Sequence, residues 1–259
     1  MIRNTVLFSS CLLSASLIIP QTSEANLWGS SLSVKAQRAQ TVLEGLDSLI
    51  EKALVDFNVP GLALGIVVDG QPIVAKGYGF RDMQRRLPVD EKTLFAIGSC
   101  TKAFTTFTIG VLVEEGLLDW DKPVIDILPE FRLWDQYATQ NLTLRDLVTH
   151  RTGIPRHDFM WYNSTHSRKE LLRRMRYLEP TCDIRERYNY GNLSYLTAGL
   201  AMEQVTGKSW ETLVADKVLR PLGMHATNFT IEQMKKSDNF AQAYLERNGV
   251  LKEMVLRNF

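Results

Sequence analysis

The chain has little of what marks several large classes of protein. Its 259 residues include only three cysteines and four histidines, and its net charge is +1. So few cysteines cannot form a dense disulfide framework. The histidines lack metal-ligand spacing, and the short basic runs, such as Arg173-Arg174, do not form a nucleic-acid surface. We therefore expect no metal, no cofactor and no nucleic-acid partner.

The sequence also has no internal repeat, and no Gly-x-Ser-x-Gly elbow of the kind found in α/β-hydrolases. What remains is an ordinary globular composition, with 45% hydrophobic and 23% charged residues. That balance and length allow one large domain or two modest ones.

The first 25 residues have the pattern of a secretory signal peptide. Arg3 precedes a mostly apolar run over residues 5–20, and Ser23-Glu24-Ala25 offers small residues at the positions that a signal peptidase reads. The alternative is a membrane anchor, but the run contains four serines and is shorter than the roughly 20 residues of a spanning helix. We expect cleavage after Ala25, a secreted or periplasmic protein, and no membrane span afterwards.

The mature chain is predicted to begin with a helix and a hairpin. Residues 26–40 look like a polar leader, and helical periodicity then runs from about Val42 to Phe57, with Thr41 and Glu44 as a capping box. Two apolar runs, 62–68 and 72–80, flank Asp69-Gly70, which predicts a β-hairpin. Because the first run is almost entirely apolar, we expect it to be covered on both faces.

Beyond Gly98 the pattern is helical. Helices are predicted over 101–115, 192–205 and 210–219, with further starts at Thr143 and Ser167. No convincing strand follows before the chain ends. The order predicts an α+β fold, an antiparallel sheet flanked by helices with a helical subdomain. We divide it into residues 41–98 (helix and hairpin), 99–230 (helical subdomain) and 231–259 (start of a return to an incomplete sheet).

Ser99 and Lys102 form the only Ser-x-x-Lys in the chain, at the start of the helix predicted over 101–115. Residues i and i+3 share a helix face, so the lysine amine can reach the serine hydroxyl. The positive end of a helix favours a developing oxyanion and disfavours a charged lysine, and a neutral amine can take the serine proton. Taken alone, the motif also fits a helix-capping serine beside a solvated lysine.

Tyr190-Gly191-Asn192 is the only Tyr-x-Asn, and it lies on a turn before a predicted helix. A tyrosine near the Ser-Lys pair can relay a proton, and an asparagine amide can bind a substrate carbonyl and Lys102. The other interpretation is a turn tyrosine with a helix-capping asparagine.

Several segments in one consistent order resemble motifs of serine β-lactamases of the class C type and of related penicillin-binding proteins and esterases. They are residues 95–105, 116–124, 147–158, 190–195, 205–207 and 221–227. The resemblance extends from about Leu43 to Tyr244. It implies a β-lactamase/transpeptidase-like fold in which Ser99 is the acylated nucleophile and its backbone N–H an oxyanion donor.

The same resemblance implies that Lys102 is the base, that Tyr190 is the acid/base partner and that Asn192 orients the substrate and Lys102. The family's third motif, Lys-Thr-Gly or His-x-Gly, is not found after Asn192. We therefore expect that the chain is a fragment whose sheet and oxyanion site are incomplete.

Two short segments imitate functional motifs, and other reactive residue types are interpreted as structural. Ser237-Asp238-Asn239 is interpreted as a loop or cap, and residues 151–153 as part of the loop that contains His150. His150 and His157 are interpreted as packing residues. Cys100 points about 100° away from the Ser99 face, and whether it pairs with Cys182 stays open.

The function indicated is a serine hydrolase that forms an acyl-enzyme on an amide or ester. A β-lactam, a D-Ala-D-Ala peptide and a simple ester all fit, so the partner is a small molecule or peptide. The alternative is a catalytically silent binding or regulatory module of the same fold, because the third motif is missing.

Overall fold

A computed structural model describes residues 14–15 and 32–256. The expected signal peptide lies outside the described residues except for Ser14 and Ala15, and residues 26–31 of the expected leader lie outside them as well. The described chain forms two compact units. One is Gly98–Leu222, and the other comprises the described parts of Leu13–Ile97 and Gly223–Asn258.

The helices of the described chain are Val34–Val42, Leu46–Asp56, Thr101–Glu114, Val124–Ile127, Gln136–Asn141, Leu144–Val148, Asp158–Trp161, Arg168–Arg174, Asn192–Thr206, Trp210–Val214 and Ile231–Met234. Short 3₁₀ turns span Gly98–Cys100 and Met175–Tyr177, and one π turn spans Ala215–Leu219. The strands are Ser14–Ala15, Gly61–Val68, Gln71–Asp82, Leu87–Pro88, Phe95–Ala96, Ala243–Arg247 and Val250–Met254. No helix within 32–256 combines the length and apolar character needed to cross a bilayer.

The first helical segment differs from the prediction. It is two helices, Val34–Val42 and Leu46–Asp56, separated at Gly45, whose φ of 83° lies in the left-handed region. The predicted capping box at Thr41 is wrong, because Thr41 lies inside the first helix. Ser33 is the cap instead, and its hydroxyl accepts from the Ala36 N–H. Part of the expected leader is therefore helical.

The predicted hairpin is confirmed. Gly61–Val68 pairs antiparallel with Gln71–Asp82, which also pairs with Leu87–Pro88. Asp69 and Gly70 both have positive φ, 50° and 75°, as a two-residue hairpin turn requires. The expectation that both faces of the strand Gly61–Val68 are covered is wrong. Alternate residues of this strand are exposed, including Val67 at 63%. An antiparallel sheet can leave one face in water even when the strand sequence is apolar.

A second hairpin corrects the expectation of no strand near the C-terminus. Ala243–Arg247 pairs with Val250–Met254 around Asn248-Gly249, and both turn residues have positive φ. Asn-Gly is a strong hairpin signal, but charged residues within both strands obscured the alternation in the sequence. The hairpin belongs to the same unit as the first one.

The helical unit, Gly98–Leu222, contains a continuous apolar core. Thr143 forms the predicted capping box with Asp146, and Ser167 caps the next helix by accepting from the Glu170 N–H. The two long helices, Thr101–Glu114 and Asn192–Thr206, contribute fully buried residues to the core. The predicted α+β class, with small antiparallel sheets and a helical subdomain, is confirmed.

Candidate active site

Ser99 lies in the tight turn Gly98–Cys100 that leads into the helix Thr101–Glu114. Gly98 has a φ of 51°, a conformation that favours glycine, and it sets the turn that presents the serine. One helical turn on, Lys102 Nζ donates a hydrogen bond of 3.2 Å to Ser99 Oγ. Both side chains are half-buried. The structure thus brings the Ser-x-x-Lys pair into contact.

Tyr190 and Asn192 reach the same point from the start of the other long helix. Extended Gly191 begins the helix Asn192–Thr206. The Tyr190 hydroxyl lies 2.5 Å from Ser99 Oγ, and Lys102 Nζ donates to Asn192 Oδ1 at 2.7 Å. All four predicted site residues therefore meet within the helical unit. Their catalytic roles remain predictions.

Two cations lie over the Tyr190 ring. Lys102 Nζ is 4.9 Å from the ring centroid, and the Arg156 guanidinium carbon is 5.1 Å from it. Arg156 is held by Asp158, with 2.6 Å between Nε and Oδ2. Sequence reasoning gave Arg156 no role, and its only signal was its place in the segment 147–158.

His150 packs directly against the site. It is 6% exposed, and its ring centroid is 4.5 Å from that of Tyr190. Burial, with a smaller contribution from Lys102, lowers the pKa of His150 to about 4. The ring is therefore neutral at pH 7, and its Nδ1 accepts from the Gly191 N–H at 3.3 Å. The loop histidine thus orients the Tyr-x-Asn turn. The predicted packing role of His157 is wrong, because that side chain is exposed.

A buried carboxylate holds the His150 loop in place. Burial would raise the pKa of Asp146, but hydrogen bonds from Arg185 and Thr143 outweigh it and lower the pKa. The Arg185 backbone N–H donates to the Arg151 carbonyl, which links the Asp146–Arg185 ion pair to the loop. These contacts join a helix cap to the loop that touches the candidate site, and they keep the carboxylate ionised at neutral pH.

The segments that imitate catalytic motifs lie in the other unit or form part of a loop beside the site. Ser237–Asn239 is a loop in the other unit, where Asn239 Nδ2 donates to both Asp90 carboxylate oxygens. Residues 151–153 form part of the His150 loop, as predicted. Cys100 and Cys182 are both free thiols. Within the described chain, no group of three or more acidic, histidine or cysteine side chains could hold a metal ion.

Comparisons with known proteins agree with the motifs. The family model described as Beta-lactamase matches residues 46–250. The Unguisins hydrolase ungD' of Aspergillus campestris (strain IBT 28561) is 33% identical over 212 residues, which are 78% of this chain and 39% of that protein. Protein flp of Staphylococcus aureus (strain NCTC 8325 / PS 47) is 29% identical over 188 residues, 71% of this chain and 38% of that protein.

Solved structures give the same result. The octameric penicillin-binding protein homologue from Pyrococcus abyssi has 32% identity and a TM-score of 0.72, covering 82% of this chain and 50% of that one. A class C beta lactamase, at 22% identity, has a TM-score of 0.68 over 87% of this chain and 59% of that one, which shows a shared fold. The chain spans less than half the length of the curated relatives above. On its motifs, its fold and the family match, it belongs to the Beta-lactamase family.

Proposed function

We propose that this chain carries the nucleophile of a serine hydrolase that forms an acyl-enzyme on an amide or ester. One observation carries the proposal: Ser99 Oγ lies within hydrogen-bond distance of both the Tyr190 oxygen and Lys102 Nζ. A serine is a weak nucleophile until an adjacent group takes its proton. The named hydrolase among the relatives supports the same reaction class.

The chemistry follows from the hydrogen bonds. Ser99 Oγ attacks the substrate carbonyl, and its proton passes, directly or through the Tyr190 hydroxyl, to the Lys102 amine, which acts in its neutral form as the tetrahedral oxyanion forms. The C–N or C–O bond then breaks, and the Tyr190–Lys102 pair returns the proton to the leaving amine or alcohol. Water adds to the acyl-enzyme with the same groups taking its proton, which releases the acid and restores Ser99.

The positive charges favour this route. Lys102, once it has taken the serine proton, and Arg156 both lie over the Tyr190 ring, so positive charge is close to the hydroxyl that relays the proton. Asn192 holds Lys102 in place through its Oδ1. The backbone N–H of Ser99, at the start of the helix, is proposed as one oxyanion donor.

The proposed substrates are a β-lactam, a D-Ala-D-Ala peptide or a simple ester. A hydrolase of unguisins among the relatives adds a peptide amide to the range of chemistries to test. We also propose secretion or periplasmic export, with cleavage after Ala25. N-terminal sequencing of exported protein should begin at Asn26, whereas retention of residues 1–25 would contradict export with cleavage.

The nucleophile is tested by labelling the 259-residue chain with a fluorescent fluorophosphonate and a fluorescent penicillin. We expect one label per chain at Ser99, none in Ser99→Ala, and unchanged labelling in Cys100→Ala, which controls for the adjacent exposed thiol. Equal labelling of Ser99→Ala would refute the assignment. A chain that folds but takes no label and shows no burst with a chromogenic ester is the silent module instead.

The acid/base pair is tested by Tyr190→Phe. Removing the hydroxyl leaves the ring and its packing but takes away the oxygen nearest to Ser99, so acylation should slow by about 100-fold or more. Tyr177→Phe, an exposed tyrosine of the same unit, is the matched control. A Tyr190→Phe rate within about threefold of wild type would exclude the tyrosine from proton transfer.

A further inference from the structure

The helical unit contains a cavity that is separate from the Ser99 network. Its volume is about 360 Å³, and its wall includes none of the four residues of that network. Three parts of the chain form the wall, namely residues 133–138, the loop residues 152 and 154, and residues 178–184. Small-molecule sites have volumes from roughly 300 Å³ upwards. The cavity is therefore large enough to be a ligand site in its own right.

Contacts of the backbone fix these three parts of the wall. Thr181 N–H donates to the Gly153 carbonyl at 3.0 Å. Gly153 has a φ of 69°, and a Cβ at this position would lie 2.2 Å from the Cys182 carbonyl oxygen, so only glycine allows this close approach. The remaining part begins a helix, where Asp135 Oδ2 accepts from the Ala138 N–H. The fold itself therefore forms the cavity.

Two aromatic side chains of the wall are exposed. Trp134 is 59% exposed and Tyr137 is 66% exposed, and both line the cavity together with the apolar Leu178 and Ile184. Exposed apolar surface that is concentrated at one place indicates a binding surface. An aromatic ring attracts cations as well as apolar groups, because its quadrupole makes the ring face negative. The exposed rings thus suit a ligand that is both apolar and positive.

The charged groups of the wall are acidic. Asp135 and Asp183 line the cavity, and among the described residues no lysine, arginine or histidine does. Both aspartates are exposed. Across residues 32–256 the Asp183 carboxylate makes no hydrogen bond or ion pair, and Asp135 uses only Oδ2, for its helix cap. Both carboxylates are therefore accessible to a positive ligand.

The arginines next to the wall do not cancel this negative charge. Arg185 pairs with Asp146, with 2.8 Å between Nη2 and Oδ2. Arg187 lies beside the Cys182 thiol, and the nearby Glu186 balances its charge. The two aspartates of the wall consequently remain without a counter-ion from the protein. Two uncompensated negative charges attract a cation and repel an anion.

We propose that the cavity lined by Trp134, Asp135, Tyr137 and Asp183 is a binding site for an alkylated organic ammonium group. Aromatic side chains recognise quaternary ammonium groups through cation–π attraction, and the aspartates supply the opposite charge. Alkyl groups on the nitrogen add apolar surface that can contact Leu178, whereas a primary ammonium is strongly hydrated. The inference does not depend on the proposed reaction, because binding is measured without turnover.

The first experiment compares choline with 3,3-dimethylbutan-1-ol, which has the same shape but a neutral carbon in place of the nitrogen. Ligand-observed NMR with the 259-residue chain gives both Kd values. We expect choline to bind about fivefold more tightly than the neutral alcohol, as for an exposed cation–π contact beside a weak ion pair. Ethanolamine should bind at least about threefold more weakly than choline. If choline has no advantage over either compound, the proposal is overturned.

The second experiment assigns this preference to the wall. Tyr137→Leu and Asp183→Asn should each reduce the ratio of choline affinity to alcohol affinity to about twofold. Tyr177→Leu and Asp119→Asn change exposed residues of the same unit outside the cavity, so they should keep the ratio. A ratio that survives either change in the wall, or that is lost in either control, would contradict binding at this cavity. Should Tyr137→Leu not fold, Trp134→Leu decides the aromatic contribution.

The outcome at the cavity can be distinguished from the outcome at Ser99. If choline binds with the expected preference but Ser99→Ala takes as much label as the unaltered chain, the cavity inference stands and the proposed function fails. If the label is specific to Ser99 but choline binds no better than the neutral alcohol, the proposed function stands and the cavity inference fails.

Discussion

The two units of the chain are stabilised in different ways. Gly98–Leu222 has one continuous cluster of buried apolar side chains, with Phe131, Leu142 and Leu147 at 0% exposure. In the other unit few apolar side chains are fully buried, and the helix Leu46–Asp56 has no buried residue. The candidate catalytic residues all lie on the unit with the continuous core, where packing fixes their positions.

The second unit depends more on hydrogen bonds between distant segments. Asn239 donates to Asp90, and the Leu94 N–H donates to the Asn239 carbonyl. Tyr78 donates to Asp47, and burial together with that contact raises the pKa of Tyr78 to about 12. Polar contacts of this kind contribute only about 1 kcal/mol each. A unit built on them should open more easily than a unit built on a core.

The largest effect is expected in the core. Phe131→Ala removes a fully buried ring and should lower the free energy of unfolding of the helical unit by about 4 kcal/mol. Urea titration followed by tryptophan fluorescence measures it, because Trp120, Trp134, Trp161 and Trp210 all lie in this unit. Phe57→Ala in the other unit, where the ring is 77% exposed, should change stability by less than about 0.5 kcal/mol. Equal losses would refute the contrast.

A smaller effect comes from the neutral His150. Its folded-state pKa of about 4 lies below the usual 6.5, so the unfolded chain takes up the proton first as pH falls. The stability that this difference contributes is present above pH 6.5 and is lost as pH falls towards 4. Between pH 7.5 and 4.5 the wild-type chain should lose about 2.5 kcal/mol more than His150→Gln does.

His150→Gln is the control for other groups that titrate in this range. Asp82 and Asp146 have lowered pKa values, so their contribution to the free energy of unfolding also falls as pH falls. Their contribution is common to both chains and cancels in the difference. Urea unfolding at the two pH values gives the four free energies required. If His150→Gln loses as much as wild type over this range, the histidine is not held neutral by the fold.

Local sequence signals predicted much of this structure. Asp69-Gly70 specified its hairpin, Thr143 and Ser167 specified helix starts, and the Ser99 and Tyr190 motifs specified side chains that meet. Each of these signals acts over a few residues, because turns, caps and i,i+3 pairs depend on nearby backbone. The prediction that the Ser99 and Tyr190 motifs meet depended on the family resemblance. Spacing alone does not predict a contact between residues about 90 positions apart.

What could not be predicted depends on contacts made in space. Val42–Phe57 has helical periodicity, but left-handed Gly45 divides the segment. His150 and Arg156 touch Tyr190 from a separate loop, so no periodic pattern marks them. His150 and Arg156 lie in the segment 147–158 that resembles the family, but the resemblance gave neither of them a contact with Tyr190.

The smallest effect tests the hydrogen-bonded unit. Asn239→Ala removes the amide that donates to the Asp90 carboxylate and accepts from the Thr93 hydroxyl, which should destabilise that unit by about 2 kcal/mol. Hydrogen exchange at the Leu94 and Ala241 amides should then accelerate by about 30-fold.

The position of the change makes this a local test. Both amides belong to the backbone bonds that join the two segments, since Leu94 N–H donates to Asn239 and Ala241 N–H donates to Leu94. Asp238→Ala alters the exposed neighbour, whose contact with Arg81 uses only the Asp238 carbonyl, so exchange should stay close to wild type. Amides of Asn192–Thr206 should not respond, because that helix rests on the core of the other unit. Acceleration there as large as at Leu94 would mean that the two units open together, and that core and polar contacts support a single cooperative structure.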